Sequence, residues 1–211
     1  IKELIAEFKD AKEYGSILNI KKRNWDLLRR FAVPTVEYGQ LSLDTTGVEN
    51  AAQRLQEVID VAEVMANQYM ATTTNPPYMG AGGMDAKLSG FIKKYYPDSK
   101  ADLFAVFIEK GLRFLQDNSY LAMITQHTWM FISSFERLRT NISNTECVNM
   151  AHLGARAFDE IGGEVVQTTT FIRRNSRTRG YKGTYIDLVD LYGESAKQKG
   201  FLSKRKRYTV T

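Results

Sequence analysis

Apolar residues recur with a helical period in the first third of the chain. From Val48 to Met65 they stand at i, i+3, i+4 and i+7, which predicts a long amphipathic helix whose apolar stripe packs into a core. Two shorter helices are predicted before it. One begins near Leu4 and is closed by Gly15, and the other spans residues 25–31. Residues 33–47 contain the proline and glycines typical of a loop.

Beyond residue 67 the pattern changes to short β-prone runs that alternate with helical ones. Strand, helix and strand in alternation predict an α/β fold with a largely parallel sheet covered by helices. The third and fourth strands lack a helix-length connection, so we expect them to form an antiparallel pair. The predicted strands are 69–74, 120–125 (buried on both faces), 148–153, 165–172 and, as a further candidate, 185–191; the predicted helices are 101–116 and a short one capped by Ser133 or Ser134 that ends at Ile142.

The candidate chemistry lies in the tetrapeptide Asn75-Pro76-Pro77-Tyr78, directly after the first predicted strand. In parallel α/β sheets, functional residues follow the carboxyl ends of the strands. Two prolines fix φ and remove two backbone donors, which makes a stiff turn. Such a turn offers two acceptors, the Asn75 side-chain oxygen and the Pro76 carbonyl, and an aromatic face, Tyr78. A planar amine lying on that face could donate a hydrogen bond from each of its two N–H groups to these acceptors.

With its downstream context, this turn resembles the catalytic motif of amino-group DNA methyltransferases. Three later segments match in the expected order: Lys100 to Leu112 as the following helix, Tyr120 to Trp129 as the next strand, and Ala151 to Phe158 with Glu164 to Thr169 as a final hairpin. From about residue 1 to 195 the chain resembles the PglX-type adenine methyltransferases of BREX phage-defence systems and, more broadly, Eco57I-like restriction–modification enzymes.

The resemblance implies an enzyme that methylates adenine N6 in DNA with S-adenosylmethionine as cofactor. It implies a partial Rossmann-like sheet of the class I methyltransferase type, comprising the C-terminal half of that fold, strands four to seven, with an antiparallel final hairpin. Asn75, Pro76, Pro77 and Tyr78 would be the catalytic residues. Tyr78 and Phe158 would stack on a flipped adenine from double-stranded DNA, and other subunits of a defence system are further candidate partners.

The resemblance also indicates which parts of the family's site this sequence lacks. No residue pattern in 1–68 matches the family's glycine-rich cofactor loop or its acidic ribose-binding residue. The chain begins at Ile1 without an initiator methionine, so we expect a fragment of a longer protein. Because the cofactor loop is missing, we expect this fragment to be inactive alone. We expect three regions: a helical segment (1–68), the substrate half of the methyltransferase domain (69–192) and a basic tail (193–211) that precedes a target-recognition region.

Charge is distributed unevenly along the chain. The net charge is +5, but residues 173–211 hold eleven basic and three acidic residues, whereas the rest holds 18 and 21. Such a cluster suits a polyanion such as nucleic acid, although a solvated surface has the same pattern. The candidate nucleic-acid-binding residues are Arg173, Arg174, Arg177, Arg179 and Lys182.

Composition restricts the remaining classes of protein. The single cysteine, Cys147, favours a reducing compartment, and we expect the cytoplasm. With two histidines, a zinc site is not expected, and apolar runs are too short for a membrane helix. Two alternatives to a DNA methyltransferase remain open. One is methylation of glutamine or an RNA base by the same turn, and the other is a non-catalytic nucleic-acid-binding or assembly module of a defence complex.

Overall fold

The computed structural model describes residues 1–33, 45–158, 166–203 and 206–210. These residues form two compact units, Ile1–Asn67 and Gln68–Thr211. The elements of the first unit are α1 (Lys2–Glu7), α2 (Ala11–Tyr14), α3 (Trp25–Phe31) and α4 (Thr45–Ala66). Those of the second unit are β1 (Tyr69–Thr74), α5 (Ala86–Tyr95), α6 (Leu103–Arg113), β2 (Leu115–Gln126), α7 (Glu136–Ile142), β3 (Glu146–Gly154), β4 (Thr168–Arg174), β5 (Gly183–Asp187), α8 (Glu194–Leu202) and β6 (Arg207–Val210).

The first unit is a small helical assembly. Its buried centre consists of one apolar residue from α1, the residue directly after α3 and two residues from the stripe of α4. These are Leu4, Ala32, Ile59 and Ala62. The predicted bounds of α3 and the predicted α4 stripe are confirmed. The single helix expected from Leu4 to Gly15 is instead broken into α1 and α2, and Gly15 ends the second with φ +51°. Of the expected loop, residues 34–44 lie outside the described residues, and the expectation is wrong for residues 45–47, which belong to α4.

Within the described part of the second unit, six strands form one sheet in the order β1-β2-β4-β3-β5-β6. Strands β1 and β2 are parallel, as are β3 and β5, whereas β4 lies antiparallel between β2 and β3. The carboxyl ends of β1, β2, β3 and β5 therefore meet at one edge of the sheet, together with the start of β4. We call this the carboxyl edge. The α/β fold and its antiparallel final pair are confirmed, but the sheet is mixed and not largely parallel, since the β2–β4, β3–β4 and β5–β6 pairings are antiparallel.

One apolar cluster joins α6 and α7 to the sheet. Phe104 and Ile108 of α6 pack with Leu121 and Met123 of β2 and with Phe171 of β4. Burial of these side chains, at about 1.5–3 kcal/mol each, fixes α6 against the sheet. The expectation that residues 120–125 are buried on both faces is wrong, because one face is only partly covered: Tyr120 is exposed, and Ala122 and Ile124 are half-buried.

Three further differences from the sequence expectations concern helices. The predicted cap by Ser133 or Ser134 is wrong, since Ser133–Phe135 form a 3-10 turn and α7 begins without a side-chain cap. Helix α5, which was not predicted, separates the proline turn from α6. Residues 193–211, expected as a basic tail, contain α8 and β6. Among the described residues, no helix is long and apolar enough to cross a membrane.

Candidate active site

The sequence 75–78 forms a turn directly after β1, at the carboxyl edge of the sheet. Pro76 is buried, while Asn75 and Pro77 are exposed and Tyr78 is half-buried. The alternation follows from the extended backbone that proline imposes, which points successive side chains to opposite sides. Pro76 therefore anchors the turn, and Asn75 remains accessible from solvent. Among the residues that the structure describes, no donor reaches the Pro76 carbonyl.

Asn75 and Tyr78 face each other across this turn. The Tyr78 hydroxyl donates to Oδ1 of Asn75 over 3.4 Å, which is a long hydrogen bond that a better donor can replace. The Tyr78 ring meets the ring of Phe104 nearly at right angles, with 6.1 Å between the centroids. Burial raises the pKa of Tyr78, so its hydroxyl remains neutral and can serve as a donor. An amide oxygen and an aromatic ring thus border one accessible space.

The turn is fastened to the start of α6 by Asp102. Its Oδ1 accepts from the backbone N–H of Met79 at 3.1 Å and from that of Phe104 at 3.2 Å. Burial raises the pKa of Asp102, and the backbone donors oppose that shift by favouring the carboxylate. Sequence reasoning assigned no function to Asp102, although an aspartate before the apolar run of α6 signals a helix cap.

Two histidines lie at the same carboxyl edge. His127 follows β2, His152 lies near the end of β3, and their Nδ1 and Nε2 atoms are 2.8 Å apart. The ring of Phe131 is 5.4 Å from that of His127. Phe158 is half-buried and lies four residues beyond the end of β3, where residues 159–165 are outside the described part of the chain. The structure thus brings Phe158 to the expected edge, and its stacking role remains a prediction.

The basic cluster lies at the opposite edge of the sheet. Arg173 is buried at the end of β4, where it donates to the carbonyls of Ile142 and Thr145 and to the Thr145 hydroxyl. Arg174 pairs with the buried carboxylate of Glu146. Both guanidinium groups therefore stabilise the fold, because they join the end of β4 to the end of α7 and the start of β3. The signal for Arg173 was its position in β4, on the same face as buried Thr169 and Phe171.

The other basic candidates, Arg177, Arg179 and Lys182, are exposed on the loop between β4 and β5. A cleft of about 820 Å³ opens beside this loop, between β3 and α7. Because the loop and the proline turn lie at opposite edges, the structure does not bring the two predicted sites together. A phosphate-binding role for the three exposed residues remains a prediction.

Metal and cofactor binding make different demands on this site. Across residues 1–33, 45–158, 166–203 and 206–210, no group of three or more His, Cys, Asp or Glu side chains is arranged to hold a metal ion. In those ranges β1 leads into α5 through residues 75–85, which include Gly80, Gly82 and Gly83, but this segment lacks the G-x-G-x-x-G spacing of the turns that bind nucleotide cofactors at such sheets. The described residues therefore contain no nucleotide-binding turn with that spacing.

Comparison with known proteins gives two curated relatives of high similarity. Over 205 residues the chain is 43% identical to the adenine-specific methyltransferase PglX of Lacticaseibacillus casei (strain Zhang), a match that covers 96% of this chain and 17% of the relative. Over 208 residues it is 38% identical to the adenine-specific methyltransferase BrxX of Escherichia coli O9:H4 (strain HS), covering 98% and 17%. The chain thus spans less than a fifth of the length of either relative.

A solved structure and a family profile agree with these matches. The cryo-EM structure of the DrdV–DNA complex superposes with a TM-score of 0.53 at 13% identity, over 78% of this chain and 18% of that one, which shows a shared fold. The profile of the Eco57I restriction-modification methylases matches residues 6–158. The resemblance found in the sequence is confirmed, and with it the class I methyltransferase type of sheet. The chain belongs to the Eco57I restriction-modification methylase family.

Proposed function

We propose that the protein methylates the exocyclic N6 of adenine in DNA and that this chain supplies the base-binding half of the site. The observation that carries the proposal is the accessible turn in which Asn75 and Tyr78 face each other at the carboxyl edge. Family membership and the two relatives, both adenine-specific methyltransferases, support the choice of adenine as the substrate. The proposal therefore concerns the whole encoded protein, of which these residues form the part that receives the base.

The turn can activate an amine that is otherwise a poor nucleophile. The lone pair of adenine N6 is delocalised into the ring. If the Asn75 oxygen and the Pro76 carbonyl accept hydrogen bonds from the two N–H groups, the nitrogen becomes pyramidal and its lone pair points out of the ring plane. When bound, S-adenosylmethionine would supply an electrophilic sulfonium methyl group: the C–S bond breaks with its electron pair left on the departing thioether, and N6 gains the methyl and loses one of its two protons through the accepting oxygens to solvent, so no strong base is required. The role of the turn is thus positioning and electrostatic preorganisation.

Tyr78 holds the base after it has left the duplex. Extruding a base from a duplex costs a few kcal/mol. Stacking on an aromatic side chain recovers about 1–3 kcal/mol per base. The Tyr78 ring is braced by Phe104 and remains half exposed, so it provides a firm surface that a base can reach. Phe158 lies at the same edge and is the candidate for contact with the other face of the base.

The proposed partner is double-stranded DNA, and other defence-system subunits are candidates for further contacts. DNA binding in such proteins draws much of its affinity from phosphate contacts. The exposed Arg177, Arg179 and Lys182 could supply such contacts only through DNA that also reaches the edge opposite the turn. A salt titration of DNA binding would measure their contribution. Phosphate contacts are supported if DNA affinity falls steeply with rising salt concentration and falls less steeply in the variant in which all three residues are alanine.

The decisive experiment measures methyl transfer by the whole encoded protein. Tritium-labelled S-adenosylmethionine is incubated with genomic DNA that lacks methylation, and the product is digested to nucleosides. We expect label in N6-methyladenine and a loss of about 10²-fold or more in Asn75→Ala, by analogy with the removal of one oxyanion-hole donor. Asn50→Ala, at an exposed position of α4, is the matched control and retains activity.

The same digestion distinguishes the alternatives. Label recovered in RNA or in protein glutamine, and none in DNA, would assign the turn to a different acceptor. No label in any acceptor, together with salt-dependent DNA binding, would favour the non-catalytic module. Full activity of Asn75→Ala would remove this turn from the chemistry.

A further inference from the structure

We propose that Asp102 is a positioning residue for methyl transfer, because it ties the backbone directly after Tyr78 to the backbone of Phe104, whose ring braces Tyr78. This inference rests on the proposed function. The Asp102 side chain is half-buried and caps α6. Its Oδ1 accepts from Met79 N, directly after Tyr78, and from Phe104 N, whose side chain braces the Tyr78 ring.

The contact is part of a short ladder between the turn and the segment that enters α6. Leu103 N donates to the carbonyl of Met79 at 2.9 Å, and Ala81 N donates to the carbonyl of Ala101 at 3.0 Å. These two bonds form an isolated antiparallel bridge between Gly80 and Asp102. The ladder closes a loop that contains α5, so it brings together residues 20 and 24 positions apart. Asp102 stands at the centre of this ladder.

Position matters here because the turn acts by geometry. Tyr78 is held through its neighbour Met79 and through the ring of Phe104, and the Asp102 carboxylate joins these two supports. Release of Met79 would allow the Tyr78 backbone to shift while Phe104 stays in the core. A displacement of about 1 Å in a positioning group can cost about 10²-fold in rate. We therefore expect loss of Asp102 to lower kcat more than it changes the binding of S-adenosylmethionine.

A helix cap with no contact to the turn provides the control. Asp85 caps α5 by accepting from Leu88 N at 2.8 Å. Asp102 caps α6 by accepting from Phe104 N, two residues on, and additionally accepts from Met79 N. Asp85→Ala therefore removes a cap of the same kind from a neighbouring helix of similar length. A purely structural role for Asp102 predicts that the two alanine variants behave alike.

Three substitutions of Asp102 separate the two roles. Asp102→Asn keeps an oxygen acceptor of the same shape. Asp102→Ser keeps a capping hydroxyl within reach of Phe104 N but is too short to hold Met79 as well. Asp102→Ala removes both. Each variant of the whole encoded protein is assayed with labelled S-adenosylmethionine and unmethylated genomic DNA, and thermal unfolding is recorded alongside.

We expect Asp102→Asn to retain kcat within about 5-fold, since it restores the acceptor. Asp102→Ser should unfold near the wild-type temperature and yet lose about 10²-fold in kcat, with the KM for S-adenosylmethionine unchanged. Asp85→Ala should retain kcat within about 2-fold. If Asp102→Ala does not fold, the serine and asparagine variants still decide the question.

Two failures are distinguishable. An active wild-type protein whose Asp102→Ser variant has the same kcat as Asp85→Ala overturns the positioning role and leaves the proposed function intact. A wild-type protein that transfers no label to DNA overturns the proposed function and this inference with it. A serine variant that loses kcat only in proportion to its loss of folded protein also overturns the positioning role.

Discussion

His127 and His152 form a hydrogen bond across the start of β4, with 2.8 Å between Nδ1 and Nε2. His127 directly follows β2, and His152 is paired with Thr169 of β4. Since β4 separates β2 from β3 in the sheet, the two rings join strands that are not neighbours. The contact also stands beside Gln167, whose carbonyl accepts from His127 N at 2.9 Å. This pair therefore joins the end of β2 to the end of β3, at the carboxyl edge of the sheet where the proline turn also lies.

The histidine pair should make folding stability depend on pH. Burial lowers the pKa of His127; burial and then the neighbouring His127 lower that of His152, against the effect of Asp187. The unfolded chain then binds more protons than the folded one below about pH 6.5. The free energy of unfolding should therefore fall as the pH is lowered from 7.5 to 5.5, as measured by denaturant titration at each pH.

The control for this prediction is the double variant His127→Gln, His152→Gln. Glutamine keeps a polar side chain but does not titrate, so the decline in stability between these two pH values should be smaller in the variant. An equal decline in both proteins would assign the pH dependence to other groups and would contradict the prediction.

Tyr78 should act through its ring more than through its hydroxyl. Its hydrogen bond to Asn75 is long at 3.4 Å, whereas the ring is braced by Phe104. Tyr78→Phe is expected to retain kcat/KM for DNA within about 5-fold. Tyr78→Ala should lose roughly 5- to 150-fold, which corresponds to about 1–3 kcal/mol of stacking. The measurement is labelled methyl transfer at subsaturating DNA, and equal losses in the two variants would assign the effect to the hydroxyl.

Arg173 and Arg179 carry the same charge and should respond differently to substitution. Arg173→Met removes donors from the carbonyls of Ile142 and Thr145, and we expect a loss of about 2–4 kcal/mol in the free energy of unfolding. Arg179→Met, at an exposed position, should change it by less than about 0.5 kcal/mol. Denaturant unfolding of both variants checks this difference, and similar stabilities would contradict the structural role of Arg173.

Much of the fold follows from local pattern. The strand β1 and the helix α3 have the predicted bounds because each is a short run between clear changes of composition. The long stripe of α4 repeats often enough to define its period. Helix α5 was missed although Leu88, Phe91, Ile92 and Tyr95 stand at helical spacing and Asp85 and the lysines of its last turn are helix signals, because Gly90 near its centre and the glycines before it favour a loop.

The site was predictable only in part. The Asn75 to Tyr78 turn is a contiguous motif, so its position after β1 could be expected. The second acceptor bond of Asp102 joins residues 23 positions apart, and no local pattern encodes it. Arg173 was assigned to a charge cluster because charge was counted along the sequence, whereas its burial depends on which face of β4 it occupies. Long-range contacts of this kind require the assembled sheet.

The placement of β4 between β2 and β3 has a consequence for how the domain can be divided. Neither β2 nor β3 can complete its pairing until a later part of the polypeptide has inserted between them. Any protein engineered to stop before Thr168 would leave two unsatisfied inner strands, each prone to intermolecular association. Shortened versions and fusion junctions are therefore best placed beyond this interleaved strand.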